Sequence, residues 1–510
     1  MIAHHRRSPS PTIILAVVAF GVFVAADDLT VVSTMLRQII FDLEIPLPDD
    51  LNRAAWIVNA YLIAYVVVMP FVGRLSDIVG RRAVFLGAFV LFLAGSVWIP
   101  MTKTLSWFLV GRVLTAVGGG AMVPVAMAVI GDVYSPQQRA TALGVLGAID
   151  TAGWVWGPLY GALLVRYLNW RWQFYLNIPL SLIGMGLVWW ALADLPRPSR
   201  RERIDWAGTA VLSICLIALN VALLNSGDIQ TAGSFTDLSS NHPPQTAFWY
   251  IVAAITFILF LFVERQITRQ HTSQSDTPPP LIDLTLFQRR NFRPAILVNF
   301  LVGAVLIVAM VNVPLVVNVL QVTLEKAALF SGYLLSGMTG SMAIMALAGG
   351  HLTSRLGYRP VVLAGLVLCG SGLASMGYTW QVETPLAQMA WQLVVLGSGF
   401  GLVIAPIGTA VINAAPPNQR GIAASLVIVL RLIGMSVGLS ALTAWGLRRF
   451  QILRTQITLP DLPLNDPIYQ QAIIEGLTRV TVQVLAETFL VSAFIMLLAL
   501  LVGLRLQNED

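Results

Sequence analysis

Residues 54–101 read AAWIVNAYLIAYVVVMPFVGRLSDIVGRRAVFLGAFVLFLAGSVWIPM. Two apolar runs, at 54–73 and 83–101, flank a short charged turn at 74–82. An α-helix needs about 20 apolar residues to cross the hydrocarbon core of a bilayer. We therefore interpret this stretch as two membrane-spanning helices that are joined by a polar loop at one membrane surface.

The rest of the chain has the same character. Hydrophobic residues make up 57% of the sequence and charged residues 11%, with a mean hydropathy of +0.77, whereas a soluble domain carries roughly 25% charged residues. Lipid as the outer solvent removes the need for a charged surface. We predict an all-α integral membrane protein with fourteen transmembrane helices, at 12–36, 54–73, 83–101, 105–130, 141–165, 173–193, 207–225, 247–264, 294–317, 328–350, 360–379, 387–411, 421–446 and 484–505.

The orientation follows from the charges between these spans. An even number of spans places both termini on one side, and more of the 31 Lys and Arg residues fall on that side. By the positive-inside rule, both termini are expected to be cytoplasmic, in a multi-pass protein of the plasma (inner) membrane. The basic and apolar residues at 4–26 resemble a secretory signal, but we expect a retained span because 28–32 form a motif of their own.

The sequence contains an internal repeat. Residues 73–82 reappear in altered form at 350–359, and 135–139 reappear at 416–420. Two related six-helix halves are a transporter architecture with the site between the halves. We predict an N-terminal half at 1–193, two inserted helices with cytoplasmic linkers at 194–293, and a C-terminal half at 294–510. Longer connections are expected at 226–246, 265–293 (a flexible linker around Pro278, Pro279 and Pro280) and 447–483.

Five motifs carry a resemblance to a known family. They are Asp28-Leu29-Thr30-Val31-Val32, Gly73-x-Leu75-x-Asp77-x-x-Gly80-Arg81-Arg82, Arg112 with Gly118-Gly119-Gly120, Gly153-x-x-x-Gly157-Pro158-x-x-Gly161, and 170–179. In this order and with fourteen spans, the chain resembles the major facilitator superfamily, and within it the fourteen-helix drug:proton antiporter branch of multidrug efflux type. The resemblance implies a secondary active transporter that exports hydrophobic or cationic drug-like compounds in exchange for protons, by alternating access.

The loop motif at 73–82 has a physical rationale as a gate. Its glycines permit a tight reversal between helices, and Asp77 can bind a helix N-terminus or a neighbouring arginine. The resemblance implies a cytoplasmic latch that stabilises the outward-facing state. The alternative is a basic turn that only sets topology. The second copy has Ser354 where the first has Asp77, so its charge is lost.

The glycine motif of the fifth span repeats every four residues. Gly153, Gly157 and Gly161 therefore share one helix face and allow close packing, while Pro158 favours a kink. The resemblance places this helix at the interface between the halves, where it bends as access alternates. The alternative is simple close packing. The motif departs from the family pattern because Ala162 stands where a second glycine is usual.

Five charged residues lie inside predicted spans: Asp27, Asp28, Arg112, Asp150 and Arg431. Each costs about 2.5–3.5 kcal/mol on insertion scales, so each needs a partner or a wet cavity. A carboxyl group in such a place can gain or lose a proton as its surroundings change. We predict proton coupling by Asp28 with Arg112 as its partner, with the adjacent Asp27 as the alternative titrating acid and Asp150 as a second candidate. The alternative is a static buried ion pair.

Two relations between these charges are left open by the sequence. Asp27 lies about 100° around the helix from Asp28, so the two carboxyl groups cannot both point straight into one cavity. Asp150 and Arg431 occupy equivalent positions in the two halves, but nothing in the sequence requires that they touch. Aromatic and amide side chains suit flat or cationic ligands, and the candidates for lining a substrate cavity are Asn59, Tyr61, Trp154, Asn299, Asn312 and Arg431.

Other function classes find little support in the sequence. Cys215 and Cys369 lie in apolar runs and the histidines do not cluster, so neither a metal site nor a disulfide framework is expected. No Gly-Lys-Ser/Thr loop is present to bind a nucleotide, and no nucleophile–His–acid set indicates an enzyme. We expect no cofactor beyond the proton gradient, no nucleic-acid partner, and a monomer in the lipid bilayer. The open alternatives are another cargo (a sugar, siderophore, amino acid or lipid) and a non-transporting receptor.

Overall fold

The computed structural model describes residues 9–45, 51–195, 204–226, 244–273, 280–320, 324–457 and 466–508. Within these ranges the protein is helical, which confirms the predicted all-α membrane fold. The fourteen α-helices are α1 (Pro11–Asp42), α2 (Leu51–Val79), α3 (Arg81–Trp98), α4 (Leu105–Val133), α5 (Pro136–Tyr167), α6 (Arg171–Ala191), α7 (Trp206–Ser226), α8 (Pro244–Ser273), α9 (Phe292–Leu320), α10 (Leu324–Leu356), α11 (Tyr358–Thr379), α12 (Leu386–Ala414), α13 (Arg420–Arg454) and α14 (Pro467–Gly503).

The helices suit a lipid environment. Of the described helices, 13 are long and apolar enough to cross a membrane. The one left out of that set is α5, which has Asp150 near its middle. Large apolar side chains such as Trp189, Ile258 and Phe494 are more than half exposed on the outer surface. Such a surface is stable where the surrounding solvent is hydrocarbon.

The helices pack as two related groups. In the first group α1 packs along α5, and in the second the equivalent helices α9 and α13 pack in the same way. The groups meet where α2 contacts α13 and where α5 contacts α10. The inserted helices α7 and α8 pack on each other, and α7 also contacts α2 and α13. The boundaries at 193/194 and 293/294 stay predictions.

The glycine face of α5 packs against α1 and not against the other half. A Cβ atom added to Gly153 would lie 2.6 Å from the Cβ of Ala26, and Gly157 and Gly161 likewise contact α1. The equivalent glycines of α13, Gly434 and Gly438, abut α9. Helix α5 runs through Pro158, whose side chain lies outside the described residues. The glycine face of α5 therefore packs inside one half, while α5 also meets α10 of the other half, as the resemblance implies for this helix. Its bending during transport stays a prediction.

The predicted long connection at 447–483 is wrong, because most of it is helical. Helix α13 continues to Arg454 and α14 begins at Pro467. The charged residues ended the apolar pattern but not the helices. Arg449 and Glu487 form an ion pair at 2.6 Å, and Phe450 packs in an apolar cluster with Val484. The two helices thus support each other through these contacts.

The connection at 265–293 also differs from the predicted flexible linker. Helix α8 continues to Ser273, and the chain from 280 onwards is anchored by Leu281 and Ile282, which are buried. Asp283 accepts a hydrogen bond at 3.2 Å from the side-chain amide of Gln419, just before α13. Of the three prolines on which the linker prediction rested, Pro280 is buried, and Pro278 and Pro279 lie outside the described residues.

Substitution of a glycine in the α1–α5 contact tests this packing. We expect Gly153→Leu to lower the free energy of unfolding by about 1–3 kcal/mol, because overpacking forces two tightly packed helices apart. The matched control is Gly87→Leu, since a Cβ at Gly87 meets no atom within 4 Å. Thermal unfolding of the purified protein in detergent checks this, and equal midpoints for the two variants would contradict it.

Candidate functional site

A buried charge cluster joins three helices of the N-terminal half. An Nη1 atom of Arg112 on α4 lies 3.0 Å from Oδ2 of Asp28 on α1, and the two side chains are 1% and 0% exposed. The side-chain amide of Asn177 on α6 donates a hydrogen bond to the other Asp28 oxygen at 3.2 Å. Every strong charge in this cluster therefore has a partner, as its depth requires.

Asp27 takes a different partner in the same cluster. The amide nitrogen of Gln173 donates to its Oδ2 atom at 3.0 Å, while Asp27 Oδ1 and the Gln173 side-chain oxygen are buried without a hydrogen bond within the described structure. The two acids point in different directions, as expected, and each accepts a hydrogen bond from a different amide on α6: Asp27 from Gln173 and Asp28 from Asn177. Sequence reasoning missed Gln173 and Asn177, although two amides one helical turn apart in an apolar span were a usable signal.

Two tyrosines connect this cluster to the centre of the molecule. The guanidinium carbon of Arg112 lies 4.1 Å from the ring centroid of Tyr61. Tyr61 stacks on Tyr65, one turn further along α2, with centroids 5.7 Å apart. Tyr65 in turn lies within electrostatic range of Asp150 and Arg431. Stacked aromatic rings and cation–π contacts are directional, so these contacts fix the orientation of Tyr61 and Tyr65 beside Arg112.

The second charged pair lies between the two halves. Asp150 on α5 and Arg431 on α13 approach to 3.7 Å, and their side chains are 17% and 14% exposed. The structure therefore brings together two residues that the repeat only placed at equivalent positions. A pocket surrounds the pair, and it is lined by Asp150, Thr151, Trp154, Leu306, Met310, Thr339, Met342 and Arg431.

The remaining candidate cavity residues lie elsewhere. Asn299 is buried between α9 and α13, where its amide donates to the carbonyl oxygen of Val427. Asn312 is also buried, and Asn59 is half-buried with a side-chain oxygen that has no hydrogen bond in the described part. Tyr61 belongs to the Arg112 cluster. Of the candidates, Trp154 and Arg431 line the central pocket.

The loop motif binds the other half directly. Gly80 has φ 104°, a left-handed conformation that favours glycine, and it separates α2 from α3. The carboxylate of Asp77 accepts hydrogen bonds from the backbone N–H groups of Gly421 at 2.9 Å and Ile422 at 3.1 Å. These are free N–H groups in the first turn of α13, which an acid stabilises. Both expected partners of Asp77 are present, because Arg81 also pairs with it at 2.6 Å.

A network of ion pairs extends this contact. Arg81 pairs with Asp132 of α4 at 3.0 Å, and Arg420 of α13 pairs with the same carboxylate at 3.0 Å. Gly73 lies directly against Gly421 of α13. Arg82 donates to the carbonyl oxygen of Trp189 within its own half. Asp132, which sequence reasoning missed, links the loop to both halves.

In the second copy of the loop motif, the equivalent contact between the halves has neutral side chains where the first copy has aspartates. Gly350 approaches Ala140 closely, as Gly73 approaches Gly421. Arg139 donates to Asn413 at 2.8 Å, whereas Arg420 binds the carboxylate of Asp132. Ser354 hydrogen-bonds its own helix at His351. The two halves are therefore joined at this end by two related contacts, of which the first holds nearly all the charge.

The motif at 170–179 fastens α6 to the far end of α1. The backbone N–H of Trp170 donates to Gln38 at 3.0 Å, and its indole N–H donates to Asp42 at 2.9 Å. Partial burial raises the pKa of Asp42, but these donors and the charge of Arg171 outweigh it and hold the pKa below its usual value. This contact keeps α6, and with it Gln173 and Asn177, in register with the acids of α1.

The comparisons with known proteins agree with this architecture. The family description Major Facilitator Superfamily matches residues 18–226 and 232–439. Similar proteins include a triacylglyceride transporter of Mycolicibacterium hassiacum, which is 31% identical over 91% of this chain and 85% of the relative. Multidrug resistance protein 3 of Bacillus subtilis is 28% identical over 82% and 76% of the two chains.

Solved structures share the fold at low sequence identity. The proton:xylose symporter XylE has a TM-score of 0.63 at 12% identity and covers 96% of this chain and 94% of its own. The human organic anion transporter MFSD10 has a TM-score of 0.59 at 14% identity, over 97% and 100% of the chains. Since the family match covers most of the described helices and both repeats, the chain belongs to the major facilitator superfamily of membrane transporters.

Proposed function

We propose that this transporter couples proton movement to the export of lipophilic molecules. The observation that carries the proposal is the fully buried Asp28–Arg112 pair at 3.0 Å, with Asp27 beside it. Burial favours the neutral form of an acid and a nearby arginine favours the charged form. A small change in hydration of the cluster is therefore enough to shift the balance between the two forms.

Proton binding to Asp28 would leave the charge of Arg112 uncompensated at membrane depth. That state is costly, so the guanidinium group must find a new partner or new hydration. Arg112 rests on Tyr61, and the Tyr61–Tyr65 stack leads to the Asp150–Arg431 pair. This path supports a coupling in which protonation in the N-terminal half alters the contact between the halves.

The central pocket has a volume of only about 10 Å³ in this arrangement of the halves, so it must widen to admit a cargo, and its lining favours a neutral one. Its one acid, Asp150, is already paired with Arg431, and the other lining side chains are largely apolar. A cationic compound must displace the arginine, whereas a neutral lipophilic molecule need not. Together with relatives that are named as triacylglyceride transporters, this supports a lipid of the triacylglyceride class as the cargo. Export, as opposed to uptake, rests on the resemblance of the glycine motif on α5.

Cationic drug-like compounds are the second candidate cargo. The similarity to Multidrug resistance protein 3 supports this reading, as does the partial exposure of Asp150 to the pocket. If Arg431 moves away when the halves separate, the carboxylate of Asp150 becomes available to a cation. The two cargoes therefore differ in what they require of Arg431.

We further propose that the Asp77 contact acts as the latch that closes the predicted cytoplasmic side. Its carboxylate binds the N-terminus of α13 across the interface, and Asp132 neutralises Arg81 and Arg420 at the same place. Because both halves supply charges, the network can exist only while they are in contact. The latch therefore stabilises a single arrangement of the halves.

The matched pair Asp28→Asn and Asp27→Asn tests the coupling role. We expect Asp28→Asn to abolish efflux driven by an imposed pH gradient, because Arg112 loses its ionisable partner. Asp27→Asn should retain a substantial part of the activity, since Asp27 binds an amide and not the arginine. Dye efflux and transport of a fluorescent triacylglyceride are measured in proteoliposomes at equal protein content. Full activity of Asp28→Asn with either probe would refute the assignment.

Replacement of Arg431 separates the two cargoes. We expect Arg431→Met to raise transport of a monovalent cationic dye severalfold relative to the fluorescent triacylglyceride, because it leaves Asp150 unpaired in the pocket. The control is Arg448→Met, an arginine further along the same helix that does not line the pocket. An unchanged ratio of the two transport rates would show that the Asp150–Arg431 pair does not select the cargo.

The latch is tested by the distance between the halves. In Asp77→Asn we expect the closed arrangement to lose most of its population, because removal of one member of a buried charge pair costs about 3–5 kcal/mol. Spin labels at positions 79 and 418 report the separation by double electron–electron resonance. The control is Ser354→Ala at the equivalent site. A distance distribution in Asp77→Asn that matches the unsubstituted protein would contradict the latch.

A further inference from the structure

A large groove lies between the inserted helices and the transporter core. It has a volume of about 990 Å³, at the upper end of the range for ligand pockets. Helices α7 and α8 form one wall, and α2 and α13 form the other, with lining side chains that include Leu216, Phe257, Leu426 and Ile433. This groove is separate from the pocket around Asp150, and none of its lining residues belongs to the charge clusters described above.

The groove has the dimensions of a hydrocarbon chain. Along α8 its lining extends from Tyr250 to Thr268, which is about 27 Å at the helical rise of 1.5 Å per residue. This is more than half of the roughly 30 Å hydrocarbon core. The neighbouring outward side chains of α8, such as Ile258 and Phe262, are mostly exposed. Lipid is therefore the molecule that reaches this groove from outside.

One end of the groove is basic. Arg265, near the end of α8, and Arg293, in the first turn of α9, both line it and are exposed. Neither pairs with a carboxylate in the described part of the chain, and Arg289 and Arg290 lie in the adjoining segment. This end is on the predicted cytoplasmic side. Basic pockets between transmembrane helices on that side suit phosphate-bearing lipid headgroups.

We infer that the groove binds an anionic phospholipid of the cytoplasmic leaflet. One acyl chain lies between α8 and α13, and the phosphate contacts Arg265 and Arg293. A triacylglyceride has no negative charge to match the two arginines, so this occupant differs from the proposed cargo. The inference does not depend on proton coupling, and it gives the inserted helices a specific role in lipid binding.

The bound lipid also lies next to the segment that supports the latch. Ile282, Leu284 and Thr285 line the groove, and Asp283 between them accepts a hydrogen bond from Gln419 directly before α13. A lipid that fills the groove therefore packs against the chain that holds the start of α13. Its occupancy is expected to favour the arrangement in which Asp77 binds that helix.

Lipid binding is measured with dioleoylphosphatidylglycerol and with dioleoylphosphatidylcholine, which has the same chains and no net charge. In native mass spectrometry of the full chain, we expect phosphatidylglycerol to bind roughly thirtyfold more tightly, from two arginine contacts. Arg265→Gln with Arg293→Gln should remove this preference. The matched control is Arg355→Gln with Arg359→Gln, two exposed arginines on the same side, which should keep it.

The position of the lipid is tested separately. A phosphatidylglycerol with a photoactivatable acyl chain, incorporated into vesicles with the protein, should cross-link to peptides of α7, α8 and α13. Ala254→Phe, which fills the groove, should reduce this cross-linking at least tenfold without changing thermal unfolding in detergent. Equal affinity for the two lipids, a preference that survives loss of both arginines, or undiminished cross-linking in Ala254→Phe would overturn the inference.

Discussion

Charge at membrane depth has to be neutralised locally, and this requirement shapes the N-terminal half and its interface. Water is absent from the hydrocarbon core, so an isolated ion there costs several kcal/mol. The protein meets the requirement twice within the predicted spans, where Arg112 pairs with Asp28 and Arg431 with Asp150, and the buried Arg81 at the predicted membrane surface pairs in the same way with Asp77 and Asp132. Two of these pairings cross between the halves or bind the other half. Each charge therefore also specifies which helices lie together.

The duplication gives equivalent positions to the two halves, but the charges are distributed unequally. Asp77 corresponds to Ser354, and Asp132 corresponds to Asn413 at the same spacing from the arginine that follows each. The close backbone contacts are retained in both copies, at Gly73 and Gly350. Packing thus preserves the symmetry of the interface while electrostatics breaks it. The contact at Gly73 includes arginine–carboxylate pairs. The contact at Gly350 consists of close packing and the hydrogen bond from Arg139 to Asn413.

The sequence was sufficient for features that depend on local patterns. The apolar runs, the repeated motifs and the acids within spans predicted the helices, the relation between Asp150 and Arg431, and the Asp28–Arg112 pair. Asp132 was missed, because its importance comes from tertiary contacts that no spacing along one helix shows. Gln173 and Asn177 were recognised only as part of the motif at 170–179, although their spacing of one helical turn indicated a shared polar face. The ends of α13 and α14 were missed for another reason. Hydropathy indicates where the apolar part of a helix ends. The helix itself continues into polar sequence where pairs such as Arg449–Glu487 stabilise it.

Helix α2 lies beside each of the charge clusters. Tyr61 and Tyr65 lie near its middle, between Arg112 and the Asp150–Arg431 pair, and Asp77 lies near its end on the latch. From Tyr65 to Asp77 the helix rises about 18 Å, and Pro70 interrupts its hydrogen bonding between them. One helix therefore carries both the tyrosine that contacts Arg112 and the aspartate that binds the start of α13. Helix α7, which contacts both α2 and α13, braces this element at the point where the halves meet.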